Sequence, residues 1–280
     1  MSHAEHKALS EEAFSLSAHD FERVRELIYR RAGITLAPTK RSMVYSRLSR
    51  RLRDTGHTDV GAYLDALGKA DSPEWQSFVN ALTTNLTSFF REGYHFPVLA
   101  EHLRRLVAAR GKASIWCAAA STGEEPYSLA ITAVEALGAR PPVTIFASDI
   151  DTDVLAKARR AVYPINAVES LEPDRRRRFF MRGTGSNAGM VRVRAEVAGL
   201  VEFGQVNLAA EPWPFREPFD VVFCRNVMIY FDTPTKAAVL TRIHRVLRPE
   251  GLLFVGHSEN FSDRRDLFSL QGKTVYRKVG

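Results

Sequence analysis

Two adjacent carboxylates, Glu124 and Glu125, follow a short turn near the middle of the chain. The turn is Ser121-Thr122-Gly123, and Gly123 would let a ligand approach the backbone N–H groups closely. A carboxylate pair at this place repels a pyrophosphate and attracts a cation, which disfavours NAD or ATP. The pattern favours a ligand that carries an ammonium or a sulfonium group, and S-adenosylmethionine carries both. A single glycine is a weak motif, so this prediction needs support from the rest of the chain.

The elements around this turn are those of a doubly wound α/β sheet. An apolar run over residues 115–120 predicts a buried strand, and residues 126–137 predict the helix that follows the turn. In such sheets, small ligands bind at the carboxyl ends of the strands. A second strand, residues 143–148, ends at Asp149, whose carboxylate is placed to accept hydrogen bonds from ribose hydroxyls. We assign capping of the next helix to Asp151.

One segment interrupts the later α/β alternation. Three further strands and one helix continue the sheet domain, at residues 201–206, 219–224, 251–256 and 234–247. Residues 172–200 depart from this pattern, because four consecutive arginines precede a glycine-rich stretch and an alternating Val-Arg-Val-Arg strand. We interpret this segment as a small β-hairpin insertion with an exposed edge. It is either a surface ornament or a site that captures an extended peptide, with arginines meeting a carboxylate.

The predicted organisation has three parts. Residues 1–17 form a flexible leader, residues 18–90 a small helical domain, and residues 91–280 the sheet domain with its insertion. Residues 83–92 are polar and end in two aromatic residues and a charged pair. This stretch is either a linker with helix caps or part of a ligand site at the junction of the two domains.

A basic helix is predicted over residues 38–53 of the helical domain. Val44, Leu48 and Leu52 form its apolar stripe, and its other faces are basic up to Asp54. Since a solvated helix face usually mixes charges of both signs, this pattern indicates a docking surface for an acidic partner. The alternative is a surface that only confers solubility. The candidate docking residues are Arg47, Arg50, Arg51 and Arg53.

Composition sets further bounds on function. The chain has 280 residues, of which 45% are hydrophobic and 25% charged, as in ordinary globular proteins. A net charge of +7 suits an anionic partner, either nucleic acid or an acidic protein surface. We expect cytoplasmic residence without direct membrane insertion, because neither a signal core nor a long apolar stretch is found. Cys117 and Cys224 fall in predicted buried strands, which favours free thiols over a disulfide or a metal site.

Methyl transfer from a sulfonium is the chemistry that fits these residues. The sequence has no Ser-His-Asp order, zinc-type spacing or Walker loop. A carboxylate acceptor is ionised at neutral pH and needs no general base, but a cationic or hydroxyl group must hold it in line. Arg91 and Tyr230, predicted at opposite mouths of the cleft, are the candidates for that role. His257 is a candidate base, the alternative being a loop histidine hydrogen-bonded to backbone.

Five motifs together resemble one family, the CheR-type chemotaxis receptor glutamate O-methyltransferases. They are TTNLTSFFRE at 83–92, WCAAASTGEEPYS at 116–128, ASDID at 147–151, FCRNVMIYFD at 223–232 and GHSENF at 256–261. The resemblance extends from about residue 18 to the end of the chain. It implies a small helical domain followed by a Rossmann-like S-adenosylmethionine-binding α/β domain with an inserted β-subdomain. It also implies transfer of the methyl group to receptor glutamates, with S-adenosylhomocysteine as the product.

The resemblance also implies roles for individual residues. The cofactor contacts would be Asn85, Thr87, Arg91, Gly123, Glu125, Asp149, Asn207, Leu208, Cys224 and Arg225. Arg91 and Tyr230 would lie beside the transferred methyl group, and Glu125 would contact the methionyl portion. The inserted β-subdomain would hold a receptor's C-terminal peptide, as it does in some members of the family. Its contacts would be Arg182, Gly183, Gly185, Gly189 and Arg192.

Two other functions remain open at this point. A nucleic-acid methyltransferase is favoured by the positive charge, but such enzymes commonly carry an Asn/Asp-Pro-Pro-aromatic run after the fourth strand, and residues 226–230 lack the prolines. A sensory module would hold the cofactor or a nucleotide without catalysis, and the presence of Arg91 and Tyr230 argues against it. We expect a monomer that binds no nucleic acid, and the sequence leaves open which receptor glutamates are modified.

Overall fold

The computed structural model describes residues 14–68 and 72–280, which form two compact units, Met1–Thr83 and Thr84–Gly280. The division falls earlier than the domain boundary after residue 90 that the sequence suggested. Residues 1–13 of the predicted leader lie outside the described residues. Leu16, from the same predicted leader, is buried, and Ser17 caps the first helix by accepting a hydrogen bond from the Asp20 N–H.

Four α-helices form the described part of the first unit: α1 Ala18–Ala32, α2 Arg41–Thr55, α3 Val60–Leu67 and α4 Glu74–Leu82. A 3-10 turn, Pro38–Lys40, leads into α2, as expected for a proline at the start of a helix. The predicted stripe of α2 is confirmed, because Val44, Leu48 and Leu52 are fully buried. The unit is therefore a small helical domain in which α2 turns its apolar side inward.

The second unit contains a seven-stranded mixed sheet. Its strands are β1 Ala113–Cys117, β2 Val143–Asp149, β6 Val201–Gln205, β7 Phe219–Phe223, β8 Leu247–Phe254, β9 Phe268–Gly272 and β10 Val275–Lys278. Their order is β6-β2-β1-β7-β8-β10-β9. The strands from β6 to β8 are parallel, and β10 pairs antiparallel with both β8 and β9. The α/β class and the doubly wound, Rossmann-like architecture predicted from the sequence are confirmed.

Apolar side chains cover both faces of this sheet, which explains the unbroken hydrophobic runs of its strands. In β1, Ile115 and Cys117 belong to one buried cluster and Trp116 to the other. In β7, Val221 and Val222 divide between the two clusters in the same way, as the two-residue period of a strand requires. The helices that connect and flank these strands are α5 His95–Arg110, α6 Glu124–Leu137, α7 Thr152–Arg160 and α10 Thr233–Val246.

A second, small sheet lies between β2 and β6 in the chain. It consists of β3 Val162–Pro164, β4 Phe180–Arg182 and β5 Met190–Val193 in the order β3-β5-β4, with the short helices α8 Pro173–Phe179 and α9 Ala195–Ala198. The sequence suggested a two-stranded hairpin within residues 172–200, but a third strand, β3, precedes that segment. Since β5 is the middle strand, an added peptide strand has β3 or β4 as its available edge.

Neither membrane-spanning helices nor paired cysteines occur in the described part of the chain. No helix there is both long and apolar enough to cross a bilayer. Cys117 and Cys224 are buried free thiols, and burial raises the pKa of both well above its ordinary value. Both thiols therefore remain protonated, and the Cys117 thiol donates a hydrogen bond to Glu125 at 3.4 Å.

Candidate functional site

The turn between β1 and α6 is tightly constrained. Ser121 adopts a left-handed conformation with φ 47°, and Gly123 has φ 101°. A Cβ atom at Gly123 would lie 2.7 Å from the Tyr163 hydroxyl and 2.9 Å from the Cβ atom of Ala158. The Tyr163 hydroxyl donates a hydrogen bond to the Thr122 carbonyl at 2.9 Å. The turn therefore needs glycine both for its backbone angle and for the space that Tyr163 and Ala158 leave.

Asp149 lies at the carboxyl end of β2, directly behind this turn. Its carboxylate accepts hydrogen bonds from the backbone N–H groups of Ser121 at 2.8 Å and Asp151 at 3.0 Å. Burial raises the pKa of Asp149 to about 6, although these hydrogen bonds favour the ionised form. Asp151 caps α7 by accepting from Asp153 and Val154, which confirms the sequence assignment. Asp149 thus has spare acceptor capacity, as a ribose partner requires.

The polar segment 85–92 is hydrogen-bonded to the same turn. The Ser121 hydroxyl donates to the Asn85 carbonyl at 3.0 Å, and the Asn85 amide donates to Asp151 at 2.8 Å. Thr87 is half-buried in the same segment. Arg91 donates from Nη1 to the Leu86 carbonyl at 2.8 Å. The segment is thus a wall of the site beside Ser121 and Asp151.

Arg225 forms ion pairs with two carboxylates at the base of the site, those of Glu92 and Glu125. Its side chain is 1% exposed and donates to Glu125 at 2.6 Å and to the Arg91 carbonyl at 2.6 Å, and it lies 3.2 Å from Glu92. Burial raises the pKa of Glu125, while the charges of Arg225 and Arg91 act against that rise. Arg225 thus acts first as an internal counter-ion, so Glu125 is already paired within the protein.

Glu92 is a site residue to which the sequence reasoning gave no role. Its carboxylate receives hydrogen bonds from Asn226 and Tyr94, and from both the backbone N–H and the ring Nδ1 of His257. Burial acts to raise the pKa of Glu92, but the His257 hydrogen bonds, Arg225 and Asn226 outweigh it and lower the pKa to about 2. Glu92 is therefore ionised and joins the loops after β7 and β8.

Glu259 is a second such residue. It accepts hydrogen bonds from the backbone N–H groups of Asn226 at 2.9 Å, Met228 at 2.8 Å and Gly256 at 2.6 Å. Asn226 itself has a left-handed backbone with φ 57°. Tyr230 follows on the 3-10 turn Met228–Tyr230 and is half-buried. Glu259 therefore fixes the loop that carries Tyr230.

His257 differs from the backbone-bonded loop histidine that the sequence suggested as one alternative. Its Nδ1 atom lies 3.0 Å from Glu92 and its Nε2 atom 3.0 Å from the Ser258 hydroxyl, so its ring contacts side chains rather than backbone. The ring is also exposed. Its contacts make it part of the Glu92 network.

The other predicted cofactor residues surround the same carboxyl edge. Asn207 follows β6, where its side chain accepts a hydrogen bond from the Ala209 N–H, and Leu208 is buried beside it. Cys224 follows β7 and is fully buried. The ends of β1, β2, β6 and β7 therefore all lie at one edge of the sheet, the edge at which parallel strands place ligands.

The residues proposed for peptide recognition belong to the small sheet and the turn between β4 and β5. Arg182 and Arg192 are exposed in the small sheet, on β4 and β5 respectively. Gly183 packs tightly, because a Cβ atom there would lie 2.1 Å from the Asn187 carbonyl oxygen. Gly185 and Gly189 are exposed and have positive φ angles.

The basic residues of α2 differ in their solvent exposure and in their hydrogen-bond partners. Arg50 and Arg53 are exposed. Arg51 makes two hydrogen bonds of 2.8 Å to Glu74, and Arg47 donates to the Thr83 carbonyl. Of the four residues, Arg50 and Arg53 thus present the more open positive surface.

The chemistry of this site fits a cationic nucleoside. The carboxylates of Glu92, Glu124, Glu125 and Asp149 belong to this site, together with only two guanidiniums from the described part of the chain, those of Arg91 and Arg225. Arg225 also has a buried Nε donor without a hydrogen-bond acceptor among the described residues. No group of three or more metal-binding side chains was found in residues 14–68 and 72–280.

Comparisons with known proteins match both units. The family described as "CheR methyltransferase, SAM binding domain" matches residues 85–277, and "CheR methyltransferase, all-alpha domain" matches residues 19–83. A chemotaxis protein methyltransferase of Salmonella typhimurium is 56% identical over 94% of this chain and 91% of its own length. That of Escherichia coli is 54% identical over 95% and 92%, and chemotaxis protein methyltransferase 2 of Pseudomonas aeruginosa is 53% identical over 94% of each chain.

Proposed function

The chain belongs to the CheR family of chemotaxis methyltransferases and uses S-adenosylmethionine, and from that premise we propose that it esterifies glutamate side chains of chemotaxis receptors. The observation that carries this proposal is the position of Arg91 next to a cluster of carboxylates, because its carbonyl accepts a hydrogen bond from Arg225, which also pairs with Glu92 and Glu125. The carboxylates suit a cationic methyl donor, and the guanidinium suits an anionic acceptor. The site therefore has carboxylates for the cationic methyl donor and a guanidinium for the anionic acceptor of an ester-forming methyl transfer.

The residues of the turn and the neighbouring strand ends would hold the cofactor. Gly123 and Ser121 shape the turn, Asp149 would accept from the ribose hydroxyls, and Glu125 would face the methionyl portion. Leu208, which is buried, would offer an apolar surface to the adenine. When bound, S-adenosylmethionine supplies an electrophilic methyl group on a positively charged sulfur.

Arg91 and Tyr230 would hold the acceptor. A glutamate side chain has an ordinary pKa of about 4.3, so it is ionised at neutral pH and needs no base to remove a proton. Orientation is then the main contribution of the protein. Arg91 can hold one carboxylate oxygen by a charge-assisted hydrogen bond, and the Tyr230 hydroxyl can direct the other toward the methyl carbon.

Two surfaces would meet the receptor. Exposed Arg50 and Arg53 of α2 suit the acidic helices that carry methylation sites. Arg182 and Arg192 in the small sheet would meet a receptor's C-terminal peptide through its carboxylate, with the peptide added as a strand. We propose a single copy of the chain as the active form.

The experiment is incubation with methyl-labelled S-adenosylmethionine and the cytoplasmic fragment of a receptor. Esterification predicts label on the receptor that mild base releases as methanol. Label that resists base, or no label, would contradict the proposal. An Arg91→Ala variant should lose turnover more than affinity for S-adenosylhomocysteine, and unchanged turnover would favour a non-catalytic binding module.

A further inference from the structure

Arg175, the first of four consecutive arginines on α8, makes contacts that the next residues do not share. Its guanidinium forms two hydrogen bonds to Glu135 of α6, at 2.9 Å and 2.8 Å. It also lies over the ring of Phe90, with 4.1 Å from Cζ to the ring centroid. By contrast, Arg177 is largely exposed and pairs with Asp174 on its own helix. The arginine run therefore contains one residue that links α8 to α6 and to the segment before Arg91.

The segment that Arg175 contacts has an unfavourable backbone on both sides of Arg91. Phe90 has φ 53° and Glu92 has φ 54°, a left-handed region that residues with a side chain rarely adopt. Such a conformation persists only where its surroundings impose it. The Phe90 N–H donates to the Ser128 hydroxyl at 2.9 Å, and the Glu92 carboxylate is held by the network described above. The remaining group, the Phe90 ring, contacts Phe96, with ring centroids 4.7 Å apart, and the Arg175 guanidinium.

The small sheet supports the same segment from a second direction. Phe89 packs edge-on against Tyr163 of β3 and Phe180 of β4, with ring centroids 5.0 Å and 5.2 Å apart. Tyr163 in turn donates to the Thr122 carbonyl in the turn of the site. The small sheet and α8 thus contact both the turn and the residues directly before Arg91.

We propose that Arg175 is a positioning residue that holds Phe90 and thereby sets the place of Arg91 in the site. This inference rests on the proposed function only for the role of Arg91 toward the acceptor. The effect of Arg175 on cofactor affinity does not depend on which acceptor receives the methyl group. The contact with Glu135 fixes the guanidinium plane, and the cation–π contact transfers that constraint to the Phe90 backbone.

The test measures the affinity of the full chain for S-adenosylhomocysteine by calorimetry in five variants. Arg175→Ala should weaken binding by about tenfold, the scale of one cation–π contact. Arg175→Lys, which keeps a cation near the Phe90 ring but loses the paired hydrogen bonds to Glu135, should recover only part of that loss. Arg177→Ala is the matched control from the same helix and should bind as the parent does. In an Arg91→Ala background, adding Arg175→Ala should cause little further loss, because both changes act through one residue.

The outcomes separate this inference from the proposed function. The role of Arg175 would be overturned if Arg175→Ala bound S-adenosylhomocysteine as tightly as the parent, or if Arg177→Ala lost as much affinity. It would also be overturned if Arg175→Lys recovered none of the lost affinity, or if the losses in Arg175→Ala and Arg91→Ala were fully additive. Thermal unfolding of each variant identifies misfolding, and Arg175→Lys serves as the test if the alanine variant does not fold. Failure of the parent protein to label a receptor would contradict the proposed function and leave these binding ratios intact.

Discussion

Replacing Arg225 by methionine should be among the most damaging single changes to the second unit. The substitution keeps an apolar stem but removes the guanidinium that contacts Glu92, Glu125 and the Arg91 carbonyl. Two carboxylates then remain beside each other in a buried place without their cation. Breaking a buried pair in this way costs about 3–5 kcal/mol, because the remaining charge is left uncompensated.

This loss translates into a large change in melting temperature. A domain of the size of Thr84–Gly280 shifts by roughly 2–4 °C for each kcal/mol, so we expect a fall of about 6–20 °C by calorimetry at pH 8. Arg277→Met is the matched control, since Arg277 pairs with Glu250 at 2.9 Å on the surface. An exposed pair of this kind contributes at most about 1 kcal/mol, so the control should shift by no more than about 4 °C.

The pH dependence tests the cause of the loss. Burial already raises the pKa of Glu125, and removal of Arg225 raises it further. The folded variant therefore takes up a proton at a pH where the unfolded chain is still ionised, and its stability rises as pH falls through the folded pKa. The difference from the parent should be smaller at pH 5.5 than at pH 8, and adding Glu125→Gln should recover part of it. A constant difference across this range, or one no larger than in Arg277→Met, would refute the reasoning.

Three further predictions concern the turn and the loops. Gly123→Ala should abolish measurable binding of S-adenosylhomocysteine, whereas Gly138→Ala, with a similar φ of 97° but open space, should lower only the melting temperature. The affinity of the parent for S-adenosylhomocysteine should fall up to tenfold for each pH unit below about 6, because the Asp149 carboxylate must be ionised to accept hydrogen bonds from the ribose. Asp149→Asn should remove this pH dependence. Glu259→Ala leaves three backbone N–H groups without an acceptor, so it should lower the free energy of unfolding in denaturant by about 3 kcal/mol or more. Its loss of turnover should also be larger than that of Glu250→Ala, the control at an exposed residue.

The parts of this molecule that local sequence patterns encode were predictable. The strands of the main sheet carry apolar runs because both of their faces are buried, and the turn at Gly123 stands at the end of such a run. Asp151 could be assigned as a cap because its partners lie two and three residues later. Such relations involve neighbours in the chain, so their signal is local.

Relations between distant residues could not be predicted in this way. Arg225 meets Glu125 across 100 residues and the Arg91 carbonyl across 134 residues, so its role as a counter-ion leaves no local pattern. Arg51 was assigned to a docking surface, yet it is held by Glu74, 23 residues further along the chain. Strand β3 was missed because three residues, Val162–Pro164, are too few to show alternation.

Two signals in the sequence would have identified the missed site residues. Glu92 directly follows Arg91 in one quoted motif, and Glu259 lies in the loop after the last parallel strand. A carboxylate at the carboxyl edge of a parallel sheet is a candidate either for ligand binding or for holding loop N–H groups. The structure assigns Glu259 to the second role and Glu92 to a network that includes His257 and Arg225.

The most direct test of the account is the chemical position of the transferred methyl group. The protein is incubated with S-adenosylmethionine and a receptor cytoplasmic fragment, and the modified peptide is sequenced by tandem mass spectrometry before and after mild base. The account predicts one added methyl group on a glutamate side chain, its removal by base, and no modification of a fragment in which that glutamate is replaced by alanine. A methyl group on nitrogen or sulfur, or one that persists in base, would contradict the account.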